Sequence, residues 1–170
     1  MIRDRIHRLN QGFGVHNSKE PNIYMPSLSA SKGARPNSCV HLTRDITVDY
    51  EIIHTNSNSY QQYSGQPGRA MEEAAKAKSK LHSEKSREIS CQFIPFIVST
   101  YGELHPQAVV FLQEVGRFAE NMAIDECSAP NLSVSEEYFQ RAIRDVIFSI
   151  IRGNVGVMLA HGSGLCSISR

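Results

Sequence analysis

The sequence contains no tryptophan, no long apolar run and almost no excess of charge of either sign. No apolar stretch approaches the roughly 20 residues that a membrane-spanning helix needs, and the N-terminal residues lack the apolar segment of a secretion signal. The formal net charge is only +1, so overall basicity gives no argument for nucleic-acid binding. We therefore expect an intracellular protein that is neither secreted nor associated with a membrane.

Closely spaced cysteines are also missing. Cys39, Cys91, Cys127 and Cys166 lie far apart in the sequence, and no pair has the C-x-x-C or C-x-x-H spacing of common zinc motifs. The sequence also lacks a glycine-rich loop long enough to hold a phosphate group. We accordingly expect no zinc, no nucleotide cofactor and no small-molecule substrate.

Large apolar residues concentrate in three stretches, at 45–53, 93–98 and 134–159, and together they can form the core of one domain. Alternating or continuous apolar residues predict strands at 22–26 and 93–98, and either one long strand or two strands between Cys39 and His54. Helix-forming composition predicts helices at 69–89 and 106–122. Ser133 or Ser135 is the predicted cap of a last long helix, and Ser133 and Glu136 have the spacing of a capping box. This order predicts an α/β fold in which helices flank a small mixed sheet.

Composition also divides the chain along its length. Residues 1–20 are polar and are expected to be a flexible segment, although the remains of a helix would have the same composition. Residues 21–122 form the predicted α/β core, and residues 123–159 form a C-terminal linker and long helix. Residues 160–170 are expected to be a flexible tail.

The stretch RDITVDYE, residues 44–51, places several acids on one face of a predicted strand. Because side chains alternate along a strand, Asp45, Asp49 and Glu51 point one way and their apolar neighbours point the other way. Two or three carboxylates on one face suit a hard cation such as Mg²⁺. A solvated face on an antiparallel strand explains the same alternation.

The helix that follows carries several lysines. At about 100° per residue, Lys78 falls on the apolar stripe that faces the sheet, and Lys76 and Lys80 fall on the opposite side. Lys78 either extends to water along its apolar stem or reaches the acidic face, where its ammonium can position water beside a phosphate. Lys76, Lys80 and Lys85 are candidate contacts for nucleic-acid phosphates, and a solvated helix face explains them equally well.

Several motifs occur in an order that resembles a known domain. They are DITV (residues 45–48), the lysine-bearing helix AMEEAAKAKSKLHSEKSRE, the strand and turn FIPFIVSTYG (residues 93–102) and the terminal helix YFQRAIRDVIFSIIRGN. Together they resemble the restriction-endonuclease-like domain of the PD-(D/E)XK type, found at the C-terminal end of reverse-transcriptase polyproteins of non-LTR retrotransposons. The resemblance covers roughly residues 21–155.

This resemblance implies a restriction-endonuclease-like core with a C-terminal helical extension. Domains of this family nick target DNA with Mg²⁺ or Mn²⁺ to prime reverse transcription. The resemblance therefore implies DNA and the element's RNA as partners, and the nucleus as the location. It implies Asp45 as catalytic metal ligand and Lys78 as catalytic lysine. Asn22 stands where the family has an aspartate and offers the metal only a neutral oxygen, so Asp49 and Glu51 become further candidate metal ligands. The alternative is a catalytically dead remnant that binds nucleic acid or protein.

Overall fold

The computed structural model describes residues 2–19, 38–63, 65–125 and 133–165. Its helices are α1 (Ile2–Gly12), α2 (Pro67–Glu88), α3 (Pro106–Asp125) and α4 (Val134–Leu165), and a short 3-10 helix covers Asn58–Tyr63. The strands are β1 (Asn17–Lys19), β2 (Ser38–His41), β3 (Asp45–Ile53) and β4 (Gln92–Ser99). The predicted α/β class, with helices around a small mixed sheet, is confirmed. The predicted strand at 22–26 lies outside the described residues.

The four strands form one sheet in the order β1-β2-β3-β4. The first three are antiparallel neighbours, whereas β4 runs parallel to β3 and is joined to it through α2. Residues 42–44 break the stretch from Cys39 to His54 into two strands, which settles the alternative left open by the sequence. Pro95 is tolerated in β4 because this strand lies at the edge of the sheet, where one side needs no hydrogen-bond donors.

Residues 2–19, predicted to be flexible, form α1 and β1 instead. Ile2 and Ile6 lie one helical turn apart and are both buried in the main core, which explains why this mostly polar segment folds. At the other end of the chain, α4 continues past residue 160 to Leu165, although Gly153 and Gly156 lower its helical propensity. The last five residues of the predicted tail lie outside the described part.

Two apolar clusters cover the two faces of the sheet. The main core lies between one face and helices α1, α3 and α4, and it includes Ile46, Val48 and Phe96. The smaller cluster lies under α2 and includes Ile53 and Ile97 together with alanines of that helix. Strand β3 therefore turns Ile46 and Val48 to the main core, and Thr47, Asp49 and Glu51 toward α2. This arrangement places the acidic face beside the lysine-bearing helix.

Helices α3 and α4 lie very close together at Gly116. A Cβ atom at this position would lie 3.0 Å from the backbone oxygen of Ser135, so only glycine fits without a shift of α4. The start of α4 follows the predicted cap, because the Ser133 hydroxyl accepts a hydrogen bond from the backbone N–H of Glu136 at 3.4 Å. The terminal helix is thus packed onto the α/β core rather than appended to it.

Candidate functional site

An ion-pair cluster links the acidic face of β3 to α2. The Lys78 Nζ atom lies 2.8 Å from Asp49 Oδ2 and 3.4 Å from Glu51 Oε2. Asp49 and Glu51 share a face because they are two residues apart on a strand, and Lys78 faces them as its helical position predicts. One ammonium therefore bridges two carboxylates.

The middle of this cluster is buried. Asp49 is only 4% exposed, whereas Lys78 and Glu51 are partly accessible to solvent. His82 lies one helical turn after Lys78, with its Nε2 atom 3.4 Å from Asp49 Oδ2, and its ring packs on Phe93 with centroids 5.1 Å apart. Among the described residues, His82 Nδ1 has no hydrogen-bond partner. The cluster is thus closed on the His82 side and open on the Glu51 side.

Sequence reasoning did not select His82. The sequence feature that could have identified His82 is its spacing of four residues from Lys78, which places both side chains on one face of α2. Another histidine next to the acidic strand, His54, bonds the Thr100 hydroxyl at 3.0 Å beyond the end of β3. His54 therefore has no part in the ion-pair cluster.

Opposing effects set the charges of this cluster. Burial alone would raise the pKa of Asp49, but hydrogen bonds from His82 and Lys78, with the positive charge of Lys78, lower it below the ordinary value of 3.8. Burial would lower the pKa of Lys78, but the hydrogen bond to Asp49 and the charges of Asp49 and Glu51 raise it above 10.5. Asp49 and Lys78 are therefore both ionised at neutral pH.

We expect the stabilising effect of the Asp49 charge to disappear in acid. Because the pKa of Asp49 is lower in the folded than in the unfolded chain, its contribution is complete above the unfolded value and is lost as the pH falls through the folded value. Urea unfolding of the wild type and Asp49→Asn should show a constant stability difference from about pH 7 to about pH 5, shrinking below about pH 4. A difference that already shrinks above about pH 5 would contradict this assignment.

Asp45, the expected catalytic acid, does not join Lys78. Four residues of extended strand, or roughly 13 Å, separate Asp45 from Asp49. The reason is the direction of α2, whose C-terminal end lies beside the start of β3, as the 2.8 Å contact between Ser86 and Thr47 hydroxyls shows. The middle of α2 consequently meets the later part of β3. The structure brings together Asp49, Glu51 and Lys78 instead of Asp45 and Lys78.

Asp45 belongs to a second group of polar side chains. Its Oδ1 atom lies 2.7 Å from His41 Nδ1, and single ligand atoms of Cys39, His41 and Asp45 all lie within 4.8 Å of one another. The buried Cys91 thiol lies nearby and donates a hydrogen bond to the Ile89 carbonyl oxygen at 3.6 Å, and burial with the nearby charge of Asp45 raises its pKa. Burial, with the nearby Cys91 and Asp45, raises the pKa of Cys39 to about 12. The sequence feature that could have indicated this group is the pair Cys39 and His41. Two residues that are two positions apart on a strand point to the same face, so both side chains lie on one side of β2.

Of the candidate phosphate contacts, Lys76 and Lys80 lie on the outer side of α2, whereas Lys85 lies two turns after Lys78 on nearly the same face. Lys76 is exposed, and its ammonium lies 3.0 Å from Glu73 and 3.8 Å from Glu72 on the same helix. Lys80 is exposed and Lys85 is partly exposed. Asn22 lies outside the described residues.

Comparison of the chain with protein-family models, curated proteins and solved structures finds no match. None of the helices within the described ranges combines the length and the apolar composition that a membrane crossing requires. Function must therefore be inferred from the chemistry of the site itself.

Proposed function

We propose that this chain is a metal-dependent DNA endonuclease-like domain of retrotransposon origin, with its centre at Asp49, Glu51 and Lys78. The observation that carries the proposal is the contact of one ammonium with two carboxylates on the strand of the DITV motif. The arrangement of the motifs supports it, because the DITV strand, the lysine-bearing helix and the FIPFIV strand follow one another and pack together. DNA in the nucleus would be the substrate, and the element's RNA a second partner.

The donor set suits a hard divalent cation. Asp49 and Glu51 each direct a carboxylate oxygen toward the Lys78 Nζ atom, and these two side chains would hold the ion once the Lys78 ammonium moved aside. Mg²⁺ and Mn²⁺ favour carboxylate ligands, and Mg²⁺ usually keeps several waters. When bound, such an ion polarises a phosphate and lowers the pKa of bound water. Asp45, the metal ligand implied by the resemblance, lies too far along β3 to join this set.

The chain's own residues have separable roles at this centre. Lys78 keeps a positive charge beside the carboxylates and has a flexible stem, so its ammonium can orient water or offset charge on a phosphate. His82 contacts Asp49 from the buried side and keeps that carboxylate in one orientation. Lys80 and Lys85 add positive charge along α2, where they would contact the DNA backbone without reading its sequence.

A catalytically dead remnant is the second candidate, and two observations favour it. Asp49 and Glu51 carry two negative charges, of which Lys78 already offsets one, so the attraction for a divalent ion is reduced. Asn22 adds no charge where the family has an acid. Such a remnant would bind nucleic acid or protein without cutting.

Plasmid nicking separates the two candidates. With Mg²⁺ or Mn²⁺, the wild type should convert supercoiled plasmid to the open circle, and Lys78→Met and Asp49→Asn should each lower the rate at least about 100-fold. Lys19→Met is the matched control, because it removes a lysine from the exposed pair with Asp4. Its nicking rate should equal that of the wild type.

Three outcomes would overturn the assignment. Equal nicking by all variants would indicate a contaminating nuclease. Plasmid binding without nicking in the wild type would favour the remnant. Loss of nicking in Asp45→Asn but not in Asp49→Asn would move the centre back to Asp45.

A further inference from the structure

Three side chains with metal-binding atoms, those of Cys39, His41 and Asp45, meet at the β2–β3 hairpin, and Cys91 lies nearby. Cys39 and His41 point to one face of β2 because they are two residues apart. The antiparallel register pairs His41 with Asp45 across the hairpin. Cys91 directly precedes β4, whose first residue pairs with the residue after Asp45 in the parallel register. Three separate segments thus deliver a cysteine pair, a histidine and an aspartate to one place.

We propose that Cys39, His41, Asp45 and Cys91 form a binding site for a zinc ion. The proposal does not depend on the endonuclease function, since it uses none of Asp49, Glu51 or Lys78. The expectation of no zinc rested on spacing along the sequence, whereas these ligands meet only through strand register.

The distances are close to those of a tetrahedral zinc site. Zinc bonds of about 2.0–2.3 Å place neighbouring ligand atoms about 3.3–3.8 Å apart. The ligand atoms of Cys39, His41 and Asp45 already lie within 4.8 Å of one another. The strand register places Cys91 beside Asp45, and its thiol, which donates to the Ile89 carbonyl oxygen at 3.6 Å, would turn toward the ion. On zinc binding, the distance of 2.7 Å between His41 Nδ1 and Asp45 Oδ1 would become slightly longer. The distances between the other ligand atoms would become slightly shorter. Side-chain rotations suffice for such changes, so the backbone pairing of the hairpin is preserved.

The chemistry of the donors selects zinc over magnesium. Two thiols and an imidazole are soft or borderline ligands, which Mg²⁺ avoids and Zn²⁺ favours. On binding, each thiol would release its proton to the solvent, and the imidazole would bind in its neutral form. His16 stacks on the His41 ring, with centroids 5.1 Å apart and planes 28° apart, and so limits its rotation.

Four protein ligands make a closed site, which is typical of structural zinc. The ion would clamp the β2–β3 hairpin to the connection between α2 and β4. Without a metal, the same residues would be a surface His41–Asp45 pair above two buried cysteines that pack as small apolar side chains. Metal binding distinguishes these two arrangements directly.

Cobalt(II) is a suitable probe because it occupies tetrahedral zinc sites and absorbs visible light. The reduced, metal-free full chain should bind one Co²⁺ with a thiolate-to-cobalt charge-transfer band, and Zn²⁺ should displace it. Cys39→Ser and Cys91→Ser should each weaken binding at least about 100-fold. Asp45→Asn, at a side chain that is 45% exposed and so tolerant of change, should weaken it at least about 10-fold. The double variant Cys127→Ser/Cys166→Ser should still bind one ion.

Circular dichroism of each variant keeps the test independent of folding. A folded wild type without the charge-transfer band would overturn the proposal. So would a band that Cys91→Ser and Asp45→Asn leave unchanged, or one that the control double variant loses. Cobalt binding by a chain that does not nick DNA would support the zinc site and contradict only the endonuclease function.

Discussion

Replacing Lys78 by methionine should lower the free energy of unfolding by about 3 kcal/mol near neutral pH. Methionine keeps an apolar stem but removes the ammonium, so within the described ranges Asp49 Oδ2 keeps only the longer contact, to His82. Asp49 is 4% exposed, and a carboxylate this buried regains little hydration when its partner is removed. Urea unfolding at constant ionic strength measures the loss.

A double variant tests whether the buried charge is the cause. Asp49→Asn/Lys78→Met removes both charges and should recover at least half of the loss, because no uncompensated carboxylate remains. The matched Lys19→Met variant breaks an exposed pair and should change stability by less than about 1 kcal/mol. If Lys78→Met were as mild as Lys19→Met, Asp49 would be hydrated and the pair would have no structural role.

This structural role affects how the catalytic test is read. Loss of nicking in Lys78→Met supports a catalytic lysine only at a temperature where the variant is still folded. Asp49→Asn is the milder change, since it keeps the shape of the side chain and leaves no buried negative charge. Agreement between the two variants under folded conditions therefore separates catalysis from stability.

Local patterns predicted the faces of the elements correctly. The alternation in β3 placed Ile46 and Val48 in the core and the acids on the opposite face, because strand geometry fixes side-chain direction within two residues. The helical period likewise turned Lys78 toward the sheet. Both predictions need only the backbone period, which is a short-range property.

The missing information was the position of α2 along β3. The strand and helix periods in the sequence do not determine whether Lys78 contacts the start or the end of that strand. The segment between β3 and α2, with its 3-10 helix at Asn58–Tyr63, sets this offset. The sequence therefore identified the correct strand face and helix but paired Lys78 with Asp45 rather than with Asp49. The cysteine–histidine group was missed for the same reason, since strand register brings it together.

Tertiary packing also explains why residues 2–19 form regular structure. Helix α1 is mostly polar, and its short apolar stripe indicates burial only when a partner is known. That partner is α4, which packs directly against α1 through Tyr138. The Tyr138 hydroxyl donates a hydrogen bond of 2.6 Å to Asn10 Oδ1, and its ring meets the Phe13 ring edge-on at 5.4 Å. Helices α1 and α4 thus contribute to one core.

Tyr138→Ala is expected to lower the free energy of unfolding by about 4 kcal/mol. The side chain is fully buried, so truncation leaves a cavity between α1 and α4 and removes the partner of Asn10 Oδ1. Chemical denaturation followed by circular dichroism measures the loss. A single transition should persist, because helices and sheet share the main core.

Two tyrosine variants separate the contributions. Tyr138→Phe keeps the ring and should cost only about 1–2 kcal/mol, the effect of leaving Asn10 Oδ1 without its donor. Tyr101→Ala removes a ring that is 67% exposed and should cost less than about 1 kcal/mol. Should Tyr138→Ala prove as mild as Tyr101→Ala, or should α4 melt in a separate earlier transition, the terminal helix would be an independent extension. A cooperative loss of about 4 kcal/mol would instead make α4 part of the fold that holds Asp49 and Lys78 in place.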